Sequence, residues 1–151
     1  MNHARMKILL VEDNPQDAEL ILRALEQQNL GGDVQVAENG AEALEILFAP
    51  GQKGSELLEN LKVIFLDLKL PKVSGLEVLR VIKDDVRTQS IPVVILTSSP
   101  QENDIEECYR LGANSYIVKP LELEDFTRAI SQLASYWVLL NQTVPQWEYS
   151  Q

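Results

Sequence analysis

Thiols are almost absent from this sequence. Cys108 is its one cysteine, so no intrachain disulfide and no cysteine-built metal site can form. Without cross-links, a chain of 151 residues must stand on its hydrophobic core. At that length one domain buries roughly two-thirds of its unfolded surface, which is enough. Long apolar runs are absent too. The first, Ile8 to Val11, meets an acidic pair at Glu12-Asp13, too early for a secretory leader, and no stretch approaches the ~20 apolar residues of a membrane span. A reducing, cytoplasmic setting is therefore expected. Positive charge is scarce: 13 Lys and Arg face 23 Asp and Glu, a formal net charge of −10. Such a chain repels phosphate backbones and anionic lipid, which excludes nucleic acid and membrane as direct partners. Cys108 shares helical spacing with Ile105 and Leu111 and reads as a small buried hydrophobe rather than a reactive thiol.

What is present alternates between short apolar runs and amphipathic stretches. Lys7 to Val11 predicts a buried strand. Asn14-Pro15 predicts a helix start, with Asn as cap and Pro in the first position, followed by Ala18, Ile21, Leu22 and Leu25 at helical spacing. Gly31-Gly32 marks a stop and Val34 to Ala37 a second strand. Asn39-Gly40 opens a helix carrying Ala43, Leu44, Leu47 and Phe48, which Pro50-Gly51 closes. Val63 to Leu66 and Pro92 to Leu96 are continuous apolar runs, the mark of strands covered on both sides. A helix over Gly75 to Lys83 lies between them. Ile105, Cys108 and Leu111 define the next helix, with Gly112 as its C-terminal cap, and Ser115 to Val118 a fifth strand. A last helix from near Glu122 carries Phe126, Ala129, Ile130, Leu133 and Trp137. Five strands alternating with five helices predict an α/β fold, a parallel sheet with helices on both faces. Two pieces fall outside the alternation: the polar, Gly-containing stretch from Ala49 to Leu61, and the tail after Tyr136.

In an open parallel sheet, function collects at the carboxyl ends of the strands. Those ends read Glu12-Asp13, Asp67, Thr97 and Lys119-Pro120. Three carboxylates brought together repel one another unless a cation joins them, and oxygen-only donors suit Mg²⁺. A lysine beside them adds a fixed positive charge. The set can hold a phosphoryl group on a carboxylate, a transfer whose catalysis is mostly positioning and charge neutralisation. Each residue alone has an ordinary alternative: a turn-forming Asp, a strand-end hydroxyl, a half-buried Tyr116, a solvated lysine.

Four segments, in order and each at a strand end, carry a resemblance: Val-Glu-Asp-Asn at 11–14, Phe-Leu-Asp-Leu-Lys-Leu-Pro at 65–71 with Gly75, Val-Ile-Leu-Thr-Ser at 94–98, and Gly-Ala-Asn-Ser-Tyr-Ile-Val-Lys-Pro at 112–120. Over about residues 5–138 the chain resembles the receiver domain of two-component response regulators. The resemblance implies a flavodoxin-like sheet of strand order 2-1-3-4-5. It implies that Asp67 accepts a phosphoryl group from a kinase phosphohistidine, and that Mg²⁺ is held by Glu12, Asp13, Asp67 and the backbone carbonyl of Lys69. It implies that Thr97 bonds the phosphoryl oxygen, that Lys119 pairs with its charge, and that Tyr116 turns inward as the switch aromatic. In that family the bond corresponding to Lys119–Pro120 is often cis. Glu12 departs from the Asp common there, changing reach but not charge. The resemblance also implies that Lys69 and Ser99 occupy two positions that tune access of water to the acyl phosphate; a solvated Lys69 is the plain alternative.

The segment 139–151 is too short for a separate output domain. Together with the long Ala49–Leu61 crossover, the Tyr-Trp-Val-Leu-Leu tail resembles the response regulators paired with cyanobacterial phytochromes, which implies a photoreceptor histidine kinase as partner. Trp137, Leu139, Leu140 and Trp147 form an apolar set that predicts a homodimer built from the last helix and tail, or a tail folded back on its own domain. Three rival functions fit the residues less well. A haloacid-dehalogenase-type phosphatase needs a second Asp two residues after the nucleophile, where Lys69 stands. A pseudo-receiver binding module would have lost the acceptor or the lysine. A dinucleotide binder needs a Gly-rich turn where Asp13-Asn14-Pro15 stands.

Overall fold

The computed structural model describes residues 6–143. The strands are β1 (Ile8–Val11), β2 (Val34–Ala37), β3 (Val63–Leu66), β4 (Val93–Thr97) and β5 (Ser115–Val118). All neighbours pair in parallel, in the order β2-β1-β3-β4-β5, the flavodoxin-like arrangement expected. Every side chain of β1, β3 and β4 is buried, as their unbroken apolar runs require. Alternation then sorts those side chains into two cores. Leu9, Val11, Ile64, Leu66, Val93 and Ile95 face one; Ile8, Leu10, Val63, Phe65, Val94 and Leu96 face the other.

Helices α1 (Pro15–Gln27) and α6 (Leu123–Ala134) cover the second core through Ile21, Ala24, Leu25, Phe126, Ile130 and Ala134. The first core is covered by α2 (Gly40–Leu47), α3 (Gly51–Asn60), α4 (Gly75–Asp84) and α5 (Glu102–Arg110). Capping follows the sequence. Asn14 accepts from the N–H groups of Gln16 and Asp17 with Pro15 first in the helix, Asn39 accepts from Glu42 N–H, and Ser74 accepts from Glu77 N–H. Each satisfies a donor that would otherwise have no partner. Cys108 is fully buried.

The structure departs from the sequence expectations in three places. The crossover Ala49–Leu61 is not merely a polar connection: Gly51–Asn60 forms α3, anchored by buried Leu57 and Leu58. There are thus six α-helices among the described residues. The last helix runs on as a π-helical turn, Ser135–Leu140, because buried Val138 continues its apolar face. Finally, no peptide bond among the described residues is cis, so Lys119–Pro120 is trans. Either isomer is open to a proline, whose preference for trans is only about 0.5–1 kcal/mol.

Gly75 sets the loop after β3. A methyl group on it would lie 2.2 Å from the carbonyl oxygen of Asp67 and 2.5 Å from Leu68 Cα, and its own N–H donates to the Leu68 carbonyl at 2.9 Å. The start of α4 is thereby pressed against the backbone that carries Asp67. Gly75→Ala is expected to destabilise the fold by about 3 kcal/mol through this backbone clash, measured by urea unfolding; unchanged stability would contradict the close packing.

Candidate functional site

Strand register brings the candidate residues together. Val11 pairs with Leu66, so Glu12 and Asp67, the next residues, emerge side by side. The ladder also runs past the strand ends: Glu12 N–H donates to Ala37 O at 3.0 Å, Asp67 N–H to Val11 O at 3.1 Å, and Lys119 N–H to Thr97 O at 2.7 Å. These bonds fix the backbone on which each functional side chain stands.

Glu12, Asp13 and Asp67 each offer a carboxylate oxygen, and these oxygens lie within 4.8 Å of one another. Glu12 and Asp67 are buried while Asp13 is exposed, so the cluster opens to solvent on one side. Lys119 Nζ donates to Glu12 Oε1 at 2.6 Å, to Asp17 Oδ2 at 2.9 Å and to Asp67 Oδ2 at 3.1 Å. Its side chain is only 8% exposed. Asp17 is the residue that the strand-end reading missed. It lies in the first turn of α1, whose cap Asn14 closely follows the end of β1, so the helix start delivers its carboxylate to Lys119.

The electrostatics follow from burial and crowding. Burial pushes the Glu12 carboxyl up to about 7; Lys119 opposes the rise and the Asp67 charge adds to it. Burial alone would lower the Lys119 ammonium, but the hydrogen bonds to Glu12 and Asp17 and the nearby carboxylate charges outweigh it and hold Lys119 above the ordinary lysine range. Lys119 therefore stays charged. Four carboxylates around one ammonium leave a surplus of negative charge, and an all-oxygen donor set of this size fits Mg²⁺ or Mn²⁺, hard cations that retain waters of their own. Lys69 is exposed, and its N–H donates to Asp67 Oδ1 at 3.4 Å.

Thr97 and Tyr116 are joined through Ser99. Thr97 is fully buried, and its Oγ1 accepts from Ser99 N–H at 3.4 Å. The Tyr116 hydroxyl donates to the Ser99 carbonyl at 2.8 Å. The Ser99 hydroxyl itself donates to Asp104 at 2.5 Å, engaging it with α5. Away from this site, Trp137 is half-buried against the second core, whereas Leu139 and Leu140 are 60% and 68% exposed. Trp147 lies outside the described residues.

Comparison with known proteins agrees with this geometry. Residues 8–131 match the family model described as "Response regulator receiver domain". The chain is 40% identical over 136 residues to the probable methanogenesis regulatory protein FilR2 of Methanothrix harundinacea, covering 90% of this chain and 86% of that one. It is 35% identical over 131 residues to the response regulator Rcp1 of Synechocystis, covering 87% and 88%. A Mn²⁺-bound crystal structure of Rcp1 superposes with a TM-score of 0.81 at 32% identity, covering 91% of this chain and 97% of that one. The phosphorylated cyanobacterial phytochrome response regulator RcpA superposes with a TM-score of 0.83 at 35% identity, covering 92% and 98%. Sheet order, the acidic cluster at the strand ends and these similarities together make this chain a member of the response regulator receiver domain family.

Proposed function

We propose that this chain is a stand-alone phosphoacceptor that relays the signal of a histidine kinase by protein contact, with residues 5–138 as the receiver and 139–151 as a C-terminal extension. The observation that carries it is the Lys119 ammonium 3.1 Å from Asp67, beside carboxylates fit for a divalent cation. An Asp67 oxygen attacks the phosphorus of a phosphohistidine; the P–N bond breaks, and the departing imidazole nitrogen takes up a proton. Glu12, Asp13, Asp67 and the Lys69 carbonyl would hold Mg²⁺, which when bound neutralises charge between the carboxylate and the incoming phosphoryl group. Lys119 pairs with the transferred group and Thr97 donates to one of its oxygens. Ser99 bonds both Thr97 and Tyr116, so a shift of Thr97 toward the phosphoryl group is passed to Tyr116. That is the switch. Lys69, exposed beside Asp67, tunes hydrolysis of the acyl phosphate, as does Ser99. The chain catalyses its own phosphorylation and slow dephosphorylation and is not a turnover enzyme.

The likeness to RcpA, a cyanobacterial phytochrome response regulator, supports a phytochrome-class kinase as partner. A cytoplasmic setting suits such a relay, and no helix among the described residues is long and apolar enough to cross a membrane. Exposed Tyr136, Leu139 and Leu140 adjoin a shallow pocket of about 330 Å³ lined by Ile117, Ala129, Leu133 and Trp137. A second copy of the same surface would cover them, which supports a homodimer through the last helix.

Three measurements test this reading. Intact-mass spectrometry after acetyl phosphate and Mg²⁺ should show one labile phosphoryl adduct, absent in Asp67→Asn and with EDTA. No adduct in a folded protein, from acetyl phosphate or from a phosphorylated kinase, would make the chain a phosphorylation-independent binding module. Mg²⁺ affinity should fall about tenfold between pH 8 and pH 6 by calorimetry, because Glu12 takes up a proton as pH drops through about 7 and the cation needs the carboxylate. The linkage has the opposite sign for the metal-free fold: its raised Glu12 favours it below pH 7, and that contribution fades as pH rises toward and past 7. A pH-independent affinity would remove Glu12 from the ligand set. Light scattering should give twice the 17.0 kDa chain mass, and Leu139→Asp with Leu140→Asp should give a monomer; a monomeric wild type at high concentration would exclude the dimer.

A further inference from the structure

An ammonium has three N–H donors, and in this structure all three of Lys119's meet carboxylates: Glu12 at 2.6 Å, Asp17 at 2.9 Å and Asp67 at 3.1 Å. Two of these partners have other duties. Glu12 and Asp67 belong to the cluster fit for a divalent cation, and Asp17 does not. A cation that recruits Glu12 takes an acceptor from Lys119, and a phosphoryl group on Asp67 changes another. Asp17 is the partner free of both demands.

Its placement is rigid. Asp17 N–H is bonded to the Asn14 side chain at 3.1 Å, so the carboxylate is delivered from a capped helix start rather than from a loop. Its side chain is 29% exposed, and an exposed ion pair is worth little. The other end of this pair, however, is buried inside the site, where a charge-assisted bond is stronger and geometrically selective.

We propose that Asp17 is a positioning residue for phosphoryl transfer: it holds the Lys119 ammonium beside Asp67 while Glu12 is released to the cation. The inference rests on the phosphoacceptor reading, and it also makes a claim about cation binding that does not depend on phosphorylation. Without Asp17 the ammonium leans on Glu12 and Asp67 alone, so a divalent ion must compete with it for both.

The test uses the full chain and five variants: Asp17→Asn, Asp17→Glu, Lys119→Met, the double variant Asp17→Asn with Lys119→Met, and Glu19→Gln on the exposed face of α1 as a control for lost charge. Mn²⁺ affinity is read by electron paramagnetic resonance. The saturating phosphorylation rate with acetyl phosphate is read by intact mass. Asp17→Asn should weaken Mn²⁺ more than Glu19→Gln does, and that excess should vanish when Lys119 is Met. It should also lower the saturating rate about tenfold, the worth of one charged hydrogen bond, with little change in the half-saturating donor concentration. Asp17→Glu should restore most of the rate. Mn²⁺ binding equal to that of Glu19→Gln, or an Asp17→Asn effect that persists without Lys119, overturns the inference. A wild type that takes no phosphoryl group overturns the phosphoacceptor reading instead, and the Mn²⁺ comparison still decides the role of Asp17.

Discussion

The ammonium of Lys119 joins four parts of the chain that are far apart in sequence: the ends of β1, β3 and β5 and the first turn of α1. Its three bonds run to groups that would repel one another in its absence. Burying a charge is costly unless it is paired and hydrogen-bonded, and here each donor of the ammonium has an acceptor. The remaining excess of negative charge faces the open side of the cluster, at Asp13. Structure and chemistry thus have one origin, because the imbalance that the lysine only partly offsets is what makes the site attract a divalent cation and, through it, a phosphoryl group.

The three central strands make this possible by being buried on both faces. Two apolar cores, each built from alternate residues of the same strands, set the register of β1, β3 and β4, and a one-residue slip would exchange the two sets of side chains. With register set, Glu12 and Asp67 must lie side by side. Gly75 then brings the start of α4 onto the Asp67 backbone. A second route leads outward from the site: Thr97, Ser99 and Tyr116 form a chain of two hydrogen bonds from the end of β4 to the surface strand β5. In the proposed switch, a change at the phosphoryl group would follow this path to β5.

Most of the fold was legible because its three central strands are unbroken apolar runs and two of its helix starts carry Asn14-Pro15 and Asn39-Gly40. Helix α3 was not. Its sequence, Gly-Gln-Lys-Gly-Ser-Glu-Leu-Leu-Glu-Asn, holds two glycines and only two apolar anchors, and it forms because Leu57 and Leu58 dock on a core already made. Pro50-Gly51 marks the end of one helix and also the beginning of the next. The site residues at strand ends were legible as a set. Asp17 was not, because an acidic residue in the first helical turn already has a sufficient explanation in the helix dipole; its place in a helix that starts directly after the Glu12-Asp13 strand end was the available signal. The proline isomer at Lys119–Pro120 depends on an energy difference too small to read from neighbouring residues.

The phosphoryl group is expected on Asp67, and borohydride reduction of the phosphorylated chain would mark it there, since an aspartyl phosphate is reduced to homoserine and leaves a mass change at the residue that bore it. Peptide mapping should locate that change at residue 67 alone. A change at Asp13, at Asp17 or at any other carboxylate, or no change in a chain shown to hold phosphate, would contradict the assignment.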